Sequence, residues 1–319
     1  MGQLSTALPR AGRRNIFAPV LQRPLTTTTT AAPLLAKLKA VPALFKLRLT
    51  ALVVFSAALG YSTGVPAGAF NGADLAVLCL AGLLVTGASN ALNQVIEIEA
   101  DSRMARTAER PLVRGVVGAG ETIALAGVSG IVGIAMLWQV FGPLTGILGF
   151  LSLFMYVALY TPMKKLSSWA VLVGAFPGAF PPMLGYVAAT GHFGLGPGLL
   201  FAVQFLWQFP HFWSIAWVLH DDYQRAGYFL LPSRGGRDGS SALLILLYTL
   251  FLVPVGITPW LFGVSGRISM VVAVLAAAWM IRPALRLAFT HDVKDARRLM
   301  FASFLYLPLV QIACALDRP

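Results

Sequence analysis

Asn93, Glu97 and Asp101 recur at every fourth position of the chain. On an α-helix such positions drift by only about 40° per step, so the three side chains share one face over roughly 12 Å. Asn90 falls close to the same stripe. The residues just before them form an apolar run that reads as a membrane span, and acids and amides on the inner face of a span are a poor fit to lipid. Oxygen ligands at this spacing suit Mg2+, which keeps several waters and often bridges one or two carboxylates to substrate phosphates. Arg103, Arg106, Arg110 and Arg114 follow at once. Their forked donors match phosphate oxygens, so metal-holding acids beside them make a coherent diphosphate site. Ordinary loop salt bridges are the other reading of the arginines. Glu99 and Glu109 lie off the stripe and are expected in solvent.

Two further stretches carry candidate chemistry. In Tyr160–Gly191, Lys164 and Lys165 sit where a span leaves the membrane. A lysine there can clamp a diphosphate or simply snorkel as an anchor. The run Gly-Ala-Phe-Pro-Gly-Ala-Phe-Pro-Pro that follows is expected to loosen or break its span near Pro177 to Pro182. In Trp207–Pro232, His211 falls mid-span beside Pro210, with Gln208 three residues before it. A buried lone histidine serves as a hydrogen-bonded core residue or as a ligand-contacting one, and the string by itself does not choose. Asp221 and Asp222 close that span on the side where Asp101 lies. They form the natural second acidic cluster, and Tyr223 and Arg225 adjoin it. No Ser-His-Asp or Cys-His grouping is present, and Cys79 and Cys314 sit apart inside apolar runs.

The elements that must position these groups are membrane helices. The chain has 319 residues, 57% of them hydrophobic and only 11% charged, with a mean hydropathy of +0.76. That is too little charge for a soluble surface. Nine spans are expected, at about 48–65, 74–98, 120–141, 143–161, 168–190, 198–220, 242–262, 268–288 and 298–316. An all-α polytopic bundle follows, since an open sheet edge has no partner in lipid. With nine spans, 22 of the 24 lysines and arginines fall on the side of the N-terminus. That asymmetry puts the N-terminus in the cytoplasm and accounts for the net charge of +12 without a nucleic-acid partner. Residues 1–40 hold Arg10, Arg13, Arg14 and Arg23, five consecutive threonines and no acid. They read as a basic, disordered tail ahead of a domain over 41–319, or as a mitochondrial presequence.

The stripe Asn93, Glu97, Asp101 resembles the first acidic motif of the UbiA superfamily of intramembrane prenyltransferases. Met104-x-Arg106-Thr107-x-x-Arg110-Pro111-Leu112-x-x-Gly115 is similar to a signature of its heme O synthase branch. So are Tyr160-Thr161-x-x-Lys164-Lys165, Trp207-Gln208-x-Pro210-His211-Phe212 and Asp222-Tyr223-x-x-Ala226-Gly227. The likeness covers roughly residues 45–316. Many relatives carry a second aspartate four residues after the position of Asp222, where this chain has Ala226. That departure puts a symmetric two-metal site in doubt.

The resemblance implies a UbiA-like bundle and transfer of a farnesyl group from farnesyl diphosphate to a vinyl group of heme b. Water addition would then give heme O for terminal oxidase assembly, with a heme A synthase possible downstream. Mg2+ would be held by Asn93, Glu97, Asp101 and Asp222, with Lys164 completing the catalytic set. The diphosphate would meet Arg103, Arg106, Arg110, Lys165 and Tyr223. The heme pocket would be lined by His211, Gln208 and Tyr160. The expected home is the bacterial plasma membrane, or else the mitochondrial inner membrane. A prenyltransferase acting on a quinone-precursor ring and a secondary transporter are the competing readings. A transporter site belongs near the bilayer midplane, not at one membrane face.

Overall fold

A computed structural model describes residues 32–66 and 68–318, and every regular element among them is helical. The basic tail expected over 1–40 falls largely on residues 1–31, outside the described residues. Its end does not: α1 (Leu34–Leu44) starts ahead of the expected boundary and runs across it. Ala40 and Leu44 pack with Ala91, Val95 and Leu112, which ties this helix to the bundle. Leu34, Leu35 and Leu38 stay exposed on its other side.

The chain then continues as α2 (Leu47–Gly64), α3 (Gly72–Ile96), the short α4 (Ile98–Ser102), α5 (Ala119–Phe141) and α6 (Pro143–Phe154). Helix α6 runs on through a π-helical turn at Met155–Tyr160 and a last turn at Thr161–Met163. Next come α7 (Ala170–Thr190), α8 (Leu195–Val218), the short α9 (His220–Arg225), α10 (Gly239–Gly256), α11 (Arg267–Thr290) and α12 (Val293–Leu316). Neighbours pack in the order α2, α3, α5, α6, α7, α8, α10, α11, α12, and α12 returns to α2. Helix α2 also crosses α7, so the nine long elements close into one bundle.

Eight of these nine are long and apolar enough to cross a membrane, and α8 is not among the eight. Its 24 residues give it the length, about 36 Å at 1.5 Å per residue. Gln204, Gln208, His211 and Ser214 lower its hydropathy, and all four are buried inside the bundle rather than turned to lipid.

The proline-rich run does not break α7 as expected. The helix is continuous over Ala170–Thr190 with Pro177, Pro181 and Pro182 inside it. Pro182 removes the N–H that would bond the Gly178 carbonyl. Gln204 Nε2 of α8 donates to that carbonyl instead, at 2.6 Å. Gln204 Oε1 in turn accepts from Ser56 Oγ of α2 at 2.9 Å and from Gln311 Nε2 of α12 at 2.6 Å. A borrowed side-chain donor thus repairs the helix and joins four spans inside the bundle.

At the α2–α7 crossing the backbones nearly touch. A Cβ on Gly185 would sit 1.9 Å from the Ala57 carbonyl oxygen, and one on Gly60 would sit 2.0 Å from that of Pro182. Both obstacles are backbone, so neither can swing aside. Gly185→Ala should therefore destabilise the bundle by about 1–3 kcal/mol, as overpacking does. Thermal unfolding in detergent measures this, and an unchanged midpoint would mean that the crossing is more compliant than its geometry.

Candidate active site

The acidic stripe ends up where α3 stops. Helix α3 closes at Ile96, Glu97 caps it with φ −98° and ψ 8°, and α4 carries Asp101. The helical spacing survives the break. Glu97 N–H donates to Asn93 O at 3.0 Å, and Asp101 N–H donates to Glu97 O at 2.7 Å. Asn93, Glu97 and Asp101 are 0%, 5% and 1% exposed, so the predicted face is real and points inward. Glu99 and Glu109 lie outside it, exposed and paired with Arg103 and Arg114.

Each buried acid has its own cation. Glu97 Oε1 accepts from Lys164 Nζ at 2.9 Å, and Asp101 Oδ2 accepts from Arg110 Nη1. Burial pushes Glu97 up, but the Lys164 charge and hydrogen bond outweigh it and leave the carboxyl below its ordinary range. Burial likewise opposes the charge on Lys164, and Glu97 reverses that, holding the amine well above its ordinary range. For Asp101 burial prevails over Arg110, with Glu97 adding to it, so this carboxyl sits above the usual value. Lys164 Nζ also lies 4.5 Å from the centre of the Tyr160 ring and 6.0 Å from that of Tyr228. The π-helical turn Met155–Tyr160, a form often found at functional sites, brings Tyr160 there.

Sequence reasoning missed Lys46. It joins α1 to α2 in a left-handed conformation, φ 46° and ψ 54°, that is uncommon for a side-chain-bearing residue. Its Nζ donates to Asn93 Oδ1 at 3.1 Å, and Asn93 Nδ2 donates to Thr161 Oγ1 at 3.1 Å. Burial, followed by the charge of Arg110, lowers the Lys46 amine to about 7. The bend is braced from α3: Gln94 Nε2 donates to Leu44 O at 2.7 Å, and Asn90 Nδ2 to Thr50 Oγ1 at 3.2 Å. Asn90 therefore supports the α1–α2 junction instead of extending the acidic stripe.

The second acidic cluster reaches the same end of the bundle. Arg106 stacks over Tyr223 of α9 with 4.9 Å to the ring centre, and Ala100 and Met104 pack with Ala226 and Tyr228. Asp222 is held by Arg225, and Asp221 lies in solvent facing Arg237. The four expected metal ligands are thus not gathered around one point. Among the described residues no three acidic, histidine or cysteine side chains converge as a metal cage. What fits Mg2+ is narrower. Asp101 Oδ1 is buried with no hydrogen-bond partner among the described residues, and the buried Tyr228 hydroxyl lies close to Glu97. A hard cation that keeps most of its coordination for water and phosphate oxygen needs only one or two carboxylates of this kind.

The pattern of the UbiA prenyltransferase family matches residues 28–307. The chain belongs to this family. It is 45% identical over 276 residues to the protoheme IX farnesyltransferase of Cytophaga hutchinsonii, covering 86% of this chain and 96% of that one. The solved structure of a digeranylgeranylglyceryl phosphate synthase superposes with a TM-score of 0.73 at 15% identity, over 88% of this chain and 98% of that one. A UbiA homolog from Archaeoglobus fulgidus, solved with GPP and Mg2+, gives a TM-score of 0.61 at 12% identity, over 86% and 99%. At such low identity the two structures share the fold with this chain and carry no residue roles.

The remaining candidates divide within this UbiA bundle. His211 lies about 16 Å from Asp222 along α8 and its continuation, deeper among the spans. Its ring stacks on Trp207 with centroids 4.3 Å apart, and its Nδ1 lies 2.8 Å from Ser303 Oγ of α12. Trp207 Nε1 donates to Ser303 O at 2.9 Å, so one turn of α12 fixes both rings. Gln208 does not join this group as expected. Its Nε2 donates to Ala175 O at 2.8 Å, and its Oε1 packs against Gly178, which ties α8 to α7. Arg103 is drawn off to Glu99 at the surface, and Lys165 is exposed.

Proposed function

We propose that this UbiA-family protein transfers a farnesyl group from farnesyl diphosphate to a vinyl group of heme b, with water addition, giving heme O for terminal oxidase assembly. The observation that carries the reading is the pairing of Glu97 with Lys164 and of Asp101 with Arg110, buried at one end of an apolar bundle. Counter-charges held ready at a dry membrane face suit a substrate with an anionic head and an apolar tail. The likeness to a protoheme IX farnesyltransferase along nearly its whole length selects the acceptor.

In this reading Lys164, Arg110 and Lys46 take the diphosphate oxygens, and Arg106 stacked on Tyr223 closes the site from the side of α9. Mg2+, held by Asp101 and Glu97, would neutralise charge developing on the departing diphosphate. As the C1–O bond breaks, the fixed cations stabilise the leaving group without rearranging. The allylic cation is captured by the heme vinyl group, and water adds to the resulting cation with loss of a proton. His211, pinned by Ser303 and stacked on Trp207, contacts the acceptor deeper in the bundle. The surrounding apolar side chains keep water from the first cation. The site faces the cytoplasm, the N-terminus lies on that side, and the protein resides in the bacterial plasma membrane.

The test is a mass measurement on the acceptor. Purified protein given farnesyl diphosphate and Mg2+ should convert heme b into a product heavier by one farnesyl group and one hydroxyl. Conversion of hydroxybenzoate with heme b untouched would give the quinone-precursor reading instead. In the same assay His211→Ala should raise the KM for heme b severalfold while leaving that for farnesyl diphosphate nearly unchanged. Unaltered heme kinetics would remove His211 from the pocket.

A further inference from the structure

Helices α11 and α12 form an antiparallel pair whose turn, at His291 and Asp292, lies at the same end as the acidic site. His291 stacks with Trp217 near the end of α8, with ring centroids 6.4 Å apart. Each helix turns one stripe toward a shared groove. From α11 come Trp279, Arg282 and Arg286; from α12 come Arg298, Phe301 and Leu305. Both sets run i, i+3, i+7, which is one face of a helix. Between them lies a cavity of about 480 Å³ that opens to the outside of the bundle, and Trp279, Phe301 and Leu305 are about half exposed along it.

The charges in this groove are not balanced. Arg298 Nη1 pairs with Asp295 Oδ1 at 2.8 Å, and Asp295 Oδ2 accepts from Thr290 Oγ1 at 3.0 Å, so this arginine is neutralised within the protein. Neither Arg282 nor Arg286 enters an ion pair among the described residues. Their depth makes that costly. Arg267 opens α11 at the opposite end, and Arg282 follows only about 22 Å further along the axis. The hydrocarbon core is about 30 Å thick, and any tilt shortens the helix's reach across it. An outward-facing arginine at that level extends its guanidinium toward the interface, where a lipid phosphate can pair with it.

We propose that the α11–α12 groove binds an anionic phospholipid, its phosphate between Arg282 and Arg286 and its acyl chains along Phe301 and Leu305. The groove's surplus of about two positive charges favours an acidic headgroup over a zwitterionic one, since choline would bring its own cation to the arginines. Trp279 lies about one turn deeper than Arg282 on α11, so with Phe301 and Leu305 it lines the acyl-chain part of the groove. The proposal does not depend on which acceptor the active site uses.

Native mass spectrometry of the detergent-purified full chain tests it, with phosphatidylglycerol, phosphatidylcholine of the same acyl chains, and inorganic phosphate as probes. The wild type should hold phosphatidylglycerol at least tenfold more tightly than phosphatidylcholine, and Arg282→Gln/Arg286→Gln should abolish that preference. Phe301→Glu leaves both arginines in place and puts a carboxylate into the groove. It should lose the preference too, and it carries the test if the double variant misfolds. Equal binding of the two lipids, an undiminished preference in the variants, or displacement of the lipid by inorganic phosphate at equal concentration would each overturn the proposal.

Discussion

Replacing Asp101 by alanine is expected to lower prenyl transfer by a factor on the order of 10²–10³, the usual loss when one preorganised electrostatic group is removed from a site. Asp101 has one oxygen committed to Arg110 and one buried with no partner among the described residues. An unpaired carboxylate oxygen is costly to bury, and a bound cation would satisfy it. The alanine variant loses that oxygen and also frees Arg110. Asp101→Asn separates the two effects, because its amide oxygen can still accept from Arg110 while the charge is gone. Both variants should insert and fold, judged by size-exclusion profile and helicity. Both should also lose the dependence of rate on Mg2+ concentration. Full activity in either would defeat the assignment of Asp101 to the metal.

Much of this site was legible in the sequence, because a four-residue period is read directly as a helical face. The stripe Asn93, Glu97, Asp101 needed only that rule, and the exclusion of Glu99 and Glu109 followed from the same geometry. The cations were harder. Of six lysines and arginines between Arg103 and Lys165, Arg110 and Lys164 found the buried acids, Arg106 found Tyr223, and Arg103 and Arg114 found surface glutamates. Nothing in a run of basic residues says which carboxylate each will reach. Lys46 was hidden for another reason. In the sequence it is one more positive residue at the head of a span, and its role depends on a left-handed backbone bend that turns its amine toward Asn93. The one available signal was its place immediately before the first span.

The proline run of α7 shows the opposite limit. Local rules correctly identify a missing N–H at Pro182, and from that they expect a break. They do not see Gln204 arriving from another helix to satisfy Gly178 O. The same holds for Gln208, which reads as a pocket residue beside His211 but spends its amide on Ala175 O. Polar side chains in α8 therefore divide between bonding a neighbour's backbone, as Gln204 and Gln208 do, and pairing with a side chain, as His211 does with Ser303. Only the partners distinguish the two, and Ser303, which holds His211, lies 92 residues away in sequence.

Removing Lys164 should have the largest effect on stability. Its amine is the close partner of a carboxylate only 6% exposed, and breaking such a buried pair typically costs about 3–5 kcal/mol because one charge is left uncompensated. Lys164→Met is expected to lower the unfolding midpoint sharply and to abolish turnover. The pH response follows from the directions of the two shifts. Glu97 is held below its ordinary range by Lys164, so the pair's contribution is present at neutral pH and is lost as pH falls through the depressed carboxyl value. Lys164 is held above its range, so the contribution is lost on the alkaline side only beyond the raised amine value. In Lys164→Met the carboxyl is left with burial and without its main counter-charge, so acid should stabilise the variant where it destabilises the wild type. The double variant Lys164→Met/Glu97→Gln removes both charges and should recover most of the lost stability while remaining inactive, because the amine proposed to meet the diphosphate is still missing. Thermal unfolding across pH, measured beside turnover, separates the two roles. If the double variant is no more stable than the single one, the pair is not the element that stabilises this end of the bundle; if it regains activity, Lys164 does not act on the diphosphate.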